Sequence, residues 1–132
     1  MIVPSKIYVR FSDIDVMGHV NNAVYLNYFE SARMDFFNQL LGKNWDWINN
    51  GIILLKNEIE YLRPVVLHDE PLIQLFVEKL GTKSFVLGYE LSVNGELYTR
   101  GSSTLVCFDY TKKMTVEIPE DLRTKLTGLI VE

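Results

Sequence analysis

The pattern of hydrophobic and polar positions predicts one long helix near the N-terminus. From Asn22 to Leu40, apolar and aromatic residues recur at the three-and-four spacing of a helix. These residues are Val24, Tyr25, Tyr28, Phe29, Ala32, Phe36, Phe37 and Leu40. Asn21 or Asn22 is suited to cap the start of the helix, and Gly42 is suited to end it. We therefore expect about five helical turns here.

The rest of the chain is dominated by segments that predict β-strands. A short alternating segment from Ile7 to Phe11 precedes the helix. Longer strand-forming segments follow it, at residues 52–62, 72–80, 84–93 and 97–108. Asn94-Gly95 favours a two-residue hairpin turn, so the strands on either side of it should pair antiparallel. A short final helix is expected from Pro119 to Leu126, with Pro119 in its first turn.

These elements predict an α+β fold in which a curved antiparallel sheet wraps around the long helix. The apolar residues of that helix are expected to occupy most of its circumference. Such a helix needs cover on every side, from the sheet or from a partner subunit. We therefore expect a homo-oligomer, either a homodimer or a homotetramer.

Composition narrows the class of protein. A chain of 132 residues with 48% hydrophobic residues is expected to form a single domain, 1–132. No apolar run approaches the ~20 residues of a membrane-spanning helix, and the N-terminus lacks the layout of a signal peptide, so we expect a cytoplasmic protein without a membrane span. The formal net charge of -4 disfavours a nucleic-acid partner. The single cysteine, Cys107, cannot form an internal disulfide and should be buried.

The segment from Arg10 to Tyr25 carries the candidate chemistry. It places Asp15, His19 and Asn22 beside the start of the long helix, where free backbone N–H groups and the helix dipole favour an oxyanion. An aspartate with an ordinary pKa near ~3.9 is ionised at neutral pH, so it can attack an acyl carbon or activate water. A thioester suits this arrangement, because a thiol with a pKa near ~8.5 leaves without a strong general acid. The segment therefore predicts an acyl-transfer site.

This segment resembles the active-site motif of the 4-hydroxybenzoyl-CoA thioesterase family of hot-dog proteins. It is also similar to the Asp-x-Asp-x-x-x-His-Val-Asn-Asn-x-x-Tyr segment of plant acyl-acyl-carrier-protein thioesterases. The resemblance implies a hot-dog fold and hydrolysis of an acyl-CoA or acyl-carrier-protein thioester, with a role in fatty acid metabolism. Coenzyme A would then be part of the substrate, and no separate cofactor is expected.

The resemblance also assigns roles to residues. Both families place the functional aspartate at Asp15, and the first implies that the backbone N–H of Asn22 polarises the thioester carbonyl. In the plant enzymes an asparagine and a histidine assist, and they match Met17 and His19. Met17 departs from that pattern because a thioether cannot supply the hydrogen bonds of an amide. Gly18 belongs to the same segment and is expected to contact substrate.

Further substrate contacts are expected outside the motif. Tyr25, at the end of the motif, is expected to contact substrate. Lys83-Ser84-Phe85 resembles a Lys-Ser-Phe segment found near the coenzyme A phosphates in some of these enzymes. Arg63 and Lys83, both near predicted strand ends, would supply local positive charge for an anionic ligand. No metal site is expected, because the spacing of Asp13, Asp15 and His19 matches no strong metal-binding signature.

Alternatives to this interpretation stay open from the sequence alone. Asp15 could cap its turn by accepting a backbone N–H bond, and His19 could be structural. Asp13 is expected to orient the turn. Two other functions use the same residues: a non-catalytic module that binds acyl thioesters, and a hot-dog hydratase or dehydratase in which Asp15 and His19 act as the acid/base pair.

Overall fold

The computed structural model describes residues 2–131 and contains one sheet and two α-helices in that range. In chain order, the elements are β1 (Ser5–Lys6), a short 3-10 helix (Phe11–Asp13), α1 (Val24–Leu41), β2 (Gly51–Tyr61), β3 (Leu72–Leu80), β4 (Ser84–Val93), β5 (Glu96–Asp109), β6 (Met114–Thr115) and α2 (Glu120–Thr127).

The strands form an antiparallel sheet in the order β1-β3-β4-β5-β2, and β6 pairs with the end of β5. Breaks in register interrupt the pairs β2–β5, β3–β4 and β4–β5, and such bulges bend and twist a sheet. Helix α1 packs on the inner face, where Phe29 stacks on Tyr89 of β4 with ring centroids 4.5 Å apart. The predicted α+β hot-dog architecture is therefore confirmed.

Helix α1 is buried along one stripe. Its buried residues are Tyr25, Tyr28, Phe29, Ala32, Arg33, Phe36 and Phe37. The positions between them are exposed and mostly polar, although Leu26 and Met34 are apolar. The expectation that apolar residues occupy most of the circumference was therefore wrong, because the three-and-four spacing places them on a single face. Gly42 ends the helix as expected, with a φ of 76° and its N–H bonded to Asn38 O at 3.0 Å.

The predicted N-terminal strand from Ile7 to Phe11 was wrong in extent. Pairing with β3 is confined to Ser5–Lys6, followed by one bond from Ile7 N to Pro71 O at 2.9 Å. Pro71 has no N–H with which to continue the ladder. Further along, the Asp13 side chain accepts the amide of Arg10, and the chain turns into the 3-10 helix instead.

The expected hairpin turn, the short final helix and the burial of the cysteine are confirmed. Asn94 and Gly95 have φ values of 51° and 81°, as a two-residue hairpin turn between β4 and β5 requires. Helix α2 follows Pro119 and buries Leu122 and Leu126. Cys107 is buried. Within residues 2–131, no helix has the length and apolar character needed to cross a membrane.

Candidate active site

A closed loop carries Asp15 from the 3-10 helix to the start of α1. Asp15 N donates to His19 O at 2.9 Å, and Gly18 N donates back to Asp15 O at 3.0 Å. Gly18 has a φ of 80°, a conformation that costs other residues free energy. An isolated bridge between Ile14 and Val20 closes the base of the loop. Gly18 is therefore a turn residue, and it does not line the cavity described next.

The loop and the start of α1 form one wall of a cavity of about 370 Å³, and the end of β2 and the residues after it form the other. The cavity is lined by Asp15, Met17, His19, Val20, Asn22, Tyr25, Tyr61, Leu62, Arg63 and Pro64. The structure thus brings together five of the residues singled out in the sequence: Asp15, His19, Asn22, Tyr25 and Arg63.

Asp15 is half-buried, and its two carboxylate oxygens have different surroundings. Oδ1 accepts the amide of Met17 at 2.9 Å, so the residue does cap its turn. Among residues 2–131, Oδ2 has no protein hydrogen-bond donor. One oxygen thus fixes the carboxylate in the cavity wall while the other stays available. The capping interpretation and a chemical role are therefore compatible.

The turn that leads into α1 contains an unused backbone donor on Asn22, a residue that lines the same cavity. Asn21 Oδ1 accepts the amide of Ala23 at 2.9 Å, and Asn21 O accepts the amide of Val24 at 2.9 Å. The hydrogen bonds found within residues 2–131 include none donated by Asn22 N. Tyr61 OH donates to the carbonyl of Asn22 at 2.8 Å, which restrains the peptide group that follows this amide. Asn21 thus stabilises the turn that leads into α1, whose N-cap position is Ala23, and the amide after Asn21 is left free.

Two tyrosines enclose the helix start. Tyr25 is buried, and its hydroxyl oxygen accepts the amide of Val65 at 3.2 Å. Its ring meets that of Tyr61 edge to face, with centroids 5.0 Å apart. Burial raises the pKa of both phenols, so both stay neutral near pH 7. Sequence reasoning missed Tyr61; its place two residues before Arg63, at the end of a predicted strand, was the available signal.

Asp13 does not line the cavity. It is 2% exposed and accepts hydrogen bonds from Tyr28 OH at 2.6 Å and from Arg10 N at 2.9 Å. Arg10 also forms an ion pair with it at 3.1 Å. Burial raises the pKa of the Asp13 carboxyl, but the bonds from Tyr28 and Arg10 outweigh burial and hold the pKa below its ordinary value. The expectation that Asp13 orients the turn agrees with these contacts.

Arg63 supplies positive charge at the cavity. Its Nη1 lies 2.6 Å from Glu96 Oε2, and its guanidinium carbon lies 5.9 Å from the centre of the Tyr98 ring. More than half of each side chain of the ion pair is exposed, so the pair is screened and weak. An anionic ligand can therefore compete with Glu96 for this guanidinium at little cost.

Lys83 and Ser84 lie at the other end of the sheet in the same chain. In the β5 register, Thr99 is opposite Tyr61 at the cavity, whereas Val106 is opposite Ser84. Seven residues separate these two positions of β5, which is roughly 23 Å along an extended strand. The structure of one chain therefore does not bring Lys83 and Ser84 to Asp15.

A metal site would need several suitable ligands close together. In the part of the chain that the structure describes, no group of three or more His, Cys, Asp or Glu side chains is arranged to hold a metal ion.

Comparisons with known proteins agree with this fold. The model of the thioesterase-like superfamily matches residues 9–126. The long-chain acyl-CoA thioesterase FadM of Escherichia coli is 30% identical over 129 residues, which is 96% of this chain and 98% of that protein. The 1,4-dihydroxy-2-naphthoyl-CoA hydrolase of Nostoc punctiforme is 26% identical over 117 residues, or 86% of this chain and 79% of that protein.

A solved structure is similar along nearly the whole chain. A thioesterase from Thermus thermophilus, crystallised in complex with coenzyme A and Zn, superposes with a TM-score of 0.82 and is 33% identical. The match covers 96% of this chain and 92% of that one. With the family model matching most of its length, the chain belongs to the thioesterase-like superfamily and is a thioester hydrolase with the hot-dog fold.

Proposed function

We propose that this protein hydrolyses acyl-CoA thioesters to a free carboxylic acid and coenzyme A, in the cavity between Asp15 and the start of α1. The observation that carries the proposal is that Asp15 and Asn22 line one cavity, and that a carboxylate oxygen of the first and the backbone N–H of the second have no protein partners among residues 2–131. The relatives support coenzyme A over acyl carrier protein, because two of them are named as acting on CoA thioesters and a third binds coenzyme A.

Asp15 is proposed to act on the thioester carbonyl carbon, either directly or through water. The bond from Met17 N fixes one oxygen, so the other has a defined direction. As a nucleophile, Asp15 would form a mixed anhydride, expel the thiolate and then be released by water. As a general base, it would take a proton from water as the water oxygen adds to the carbonyl carbon. The C–S bond would then break, and the proton would pass to the departing thiolate. Both routes give the acid and the thiol.

The amide of Asn22 is proposed to stabilise the negative charge that develops on the carbonyl oxygen. Its peptide is held at the carbonyl end by the bond from Val24 N to Asn21 O, Tyr61 OH holds the next carbonyl, and α1 behind them is anchored in the core, so the donor needs little reorganisation during reaction. A well-aimed donor of this kind contributes about 2.7–4 kcal/mol to the transition state. His19 lines the same cavity and is proposed as a helper that contacts substrate.

Hydrolysis of a panel of acyl-CoAs by the wild type and by Asp15→Asn tests this proposal. Asparagine keeps the size of the side chain and can still accept the Met17 amide, so the loop should be retained. We expect kcat to fall by about 10²–10⁴-fold. Asp46→Asn is the matched control, because Asp46 also accepts backbone amides in a loop but does not line the cavity. An Asp15→Asn variant that turns over as the wild type does would contradict the role of this carboxylate.

We also propose a homo-oligomer formed through the β2 edge. β2 ends the sheet order, and in residues 2–131 no strand pairs with its outer edge. The edge is long, and its exposed residues include Leu54, Leu55 and Tyr61. Lys56, Asn57, Glu58 and Glu60 on this strand are exposed as well, so the pairing would rest on the open backbone N–H and C=O groups of the edge and on the two leucines. Antiparallel pairing of two β2 strands would bring the Lys83–Ser84 corner of a second copy towards the end of the sheet that carries Asp15.

Sedimentation of edge variants tests this assembly. Leu54→Lys places a charge at the β2 edge, and Leu72→Lys places it on β3, where the leucine has the same 39% exposure. We expect the first variant to be a monomer at concentrations where the wild type and the second variant are oligomers. A monomeric wild type, or equal behaviour of the two variants, would contradict pairing through β2.

A further inference from the structure

The buried carboxylate of Asp13 lies two residues before Asp15 and is fully engaged. Its Oδ2 accepts Tyr28 OH at 2.6 Å and Arg10 N at 2.9 Å, and its Oδ1 accepts Arg10 Nη2 at 3.1 Å. Burying a carboxylate is costly unless charge-assisted hydrogen bonds compensate for the lost water. Asp13 is 2% exposed, and its three bonding partners hold its carboxylate in one geometry.

The main chain of Asp13 forms a second connection. Asp13 O accepts the amide of Asn21 at 2.9 Å, directly before Asn22. The Ile14–Val20 bridge and the bond from Asp15 N to His19 O then close the loop beyond it. Asp13 is thus tied by its side chain to α1 and by its carbonyl to the residue preceding the free amide.

Tyr28 connects this loop to the rigid part of the helix. It is the fifth residue of α1 and is 6% exposed, and its ring packs 6.1 Å from that of Tyr25. Among residues 2–131, the bond from its hydroxyl is the only hydrogen bond that links the side chain of Asp13 to α1. The loop with Asp15 and the helix start with Asn22 are therefore braced at a shared point outside the cavity.

We infer that Asp13 and Tyr28 are positioning residues that set the distance between the Asp15 carboxylate and the Asn22 amide. This inference rests on the proposed function, because it matters only if those two groups act on one carbonyl. Neither Asp13 nor Tyr28 lines the cavity, so neither touches the substrate there. They act through the loop, and a displacement of about 1 Å between reacting groups can cost up to ~10²-fold in rate.

Tyr28→Phe is the principal test, because it removes one hydroxyl and leaves the ring. We expect kcat for acyl-CoA hydrolysis to fall about 10- to 100-fold while KM changes less than about threefold, since the cavity wall is intact. Asp13→Asn should give the same kind of loss. The double variant should lose about as much as the worse single variant, because both changes break one connection.

Tyr89→Phe is the matched control. Tyr89 is also buried and its hydroxyl is also hydrogen-bonded, to Arg33 Nη1 at 2.9 Å and Ser103 Oγ at 2.7 Å, but it lies on β4 away from the loop. We expect this variant to have a lower melting temperature and an unchanged kcat. A kcat for Tyr28→Phe within twofold of that of Tyr89→Phe would overturn the inference.

Amide hydrogen exchange gives a readout that does not depend on turnover. In Tyr28→Phe, the Asn21 amide should exchange at least about tenfold faster than in Tyr89→Phe. The acceptor of this amide is the carbonyl of Asp13, whose side chain has lost its bond to α1 in that variant. Equal protection of that amide in both variants would overturn the inference. If Asp15→Asn retains full activity, the proposed function fails; if Asp15→Asn is inactive while Tyr28→Phe is fully active, only the positioning role fails.

Discussion

Gly101 of β5 lies under the ring of Phe29 of α1, and replacing it by alanine should destabilise the protein. An added Cβ would lie 2.7 Å from the carbonyl oxygen of Glu58 and 2.9 Å from Cε2 of Phe29. Ordinary van der Waals contact begins at 3.4 Å, so the overlaps are 0.7 Å and 0.5 Å. The first atom belongs to the paired backbone of β2, and Phe29 is 1% exposed and stacked on Tyr89. Neither can move without disturbing its own contacts.

The expected loss of stability combines the cost of overpacking the core with a smaller gain from restricting the unfolded chain. Overpacking a close-fitting core costs about 1–3 kcal/mol, and the Gly→Ala change recovers about 0.4–1 kcal/mol through the unfolded state. The free energy of unfolding should therefore fall by roughly 1–2 kcal/mol. Because Phe29 belongs to α1, a shift of this helix also moves the Asn22 amide, so kcat should fall as well.

Urea unfolding at a fixed protein concentration measures the effect, with Gly88→Ala as the control. A Cβ on Gly88 would meet the tip of the Phe76 ring and the Glu78 carboxylate, both ends of side chains on the outer face that can swing aside. We expect Gly88→Ala to stay within about 0.5 kcal/mol of the wild type. A Gly101→Ala variant as stable as the wild type, or a Gly88→Ala variant with an equal loss, would refute the close packing of Phe29 on Gly101.

Three further predictions concern the loop, the core and the hairpin. Tyr28 and Arg10 hold the pKa of Asp13 below its ordinary 3.8, so the stabilisation from these contacts is present above about pH 4 and is lost as the pH falls through the lowered pKa. Asp13→Asn should therefore flatten the acid limb of a curve of unfolding free energy against pH. An unchanged acid limb would contradict this. Burial raises the pKa of Cys107 to about 11, so its thiol should react with an aromatic disulfide reagent at pH 8 only after denaturation, and rapid labelling of the native protein would disagree. Gly95 has a φ of 81°, so Gly95→Ala should cost about 1–2 kcal/mol in thermal unfolding, whereas Gly128→Ala, at a φ of -68°, should cost nothing; equal effects would be inconsistent with the turn.

The elements with strong periodicity were predictable from the sequence. Helix α1 and the four long strands appear within one or two residues of their expected bounds. Burial of one face imposes a repeat on α1 and β3, whereas β2 is mostly exposed and is indicated by its strand-forming residues. The structure of the segment Ile7–Phe11 could not be predicted in this way, because it depends on one hydrogen bond that the Arg10 amide donates to the side chain of Asp13. A bond of that kind competes with strand pairing and leaves no periodic signal.

The same distinction applies to the candidate site. Asp15, His19, Asn22 and Tyr25 were found because they are near one another in the sequence and belong to one motif. Tyr61 binds the carbonyl of Asn22 from 39 residues away, and only the register of β2 on the sheet brings it there. Which end of the sheet a strand residue reaches also depends on register.

The most direct test of the account is a crystal structure with an unreactive acyl-CoA analogue, in which a methylene group replaces the thioester sulfur. We expect its carbonyl oxygen to lie about 2.7–3.1 Å from Asn22 N. Its carbonyl carbon should face Asp15 Oδ2, either within about 3–3.5 Å or across one water molecule. A carbonyl bound away from the first turn of α1, with Asp15 in contact with neither the carbon nor a water beside it, would contradict the account.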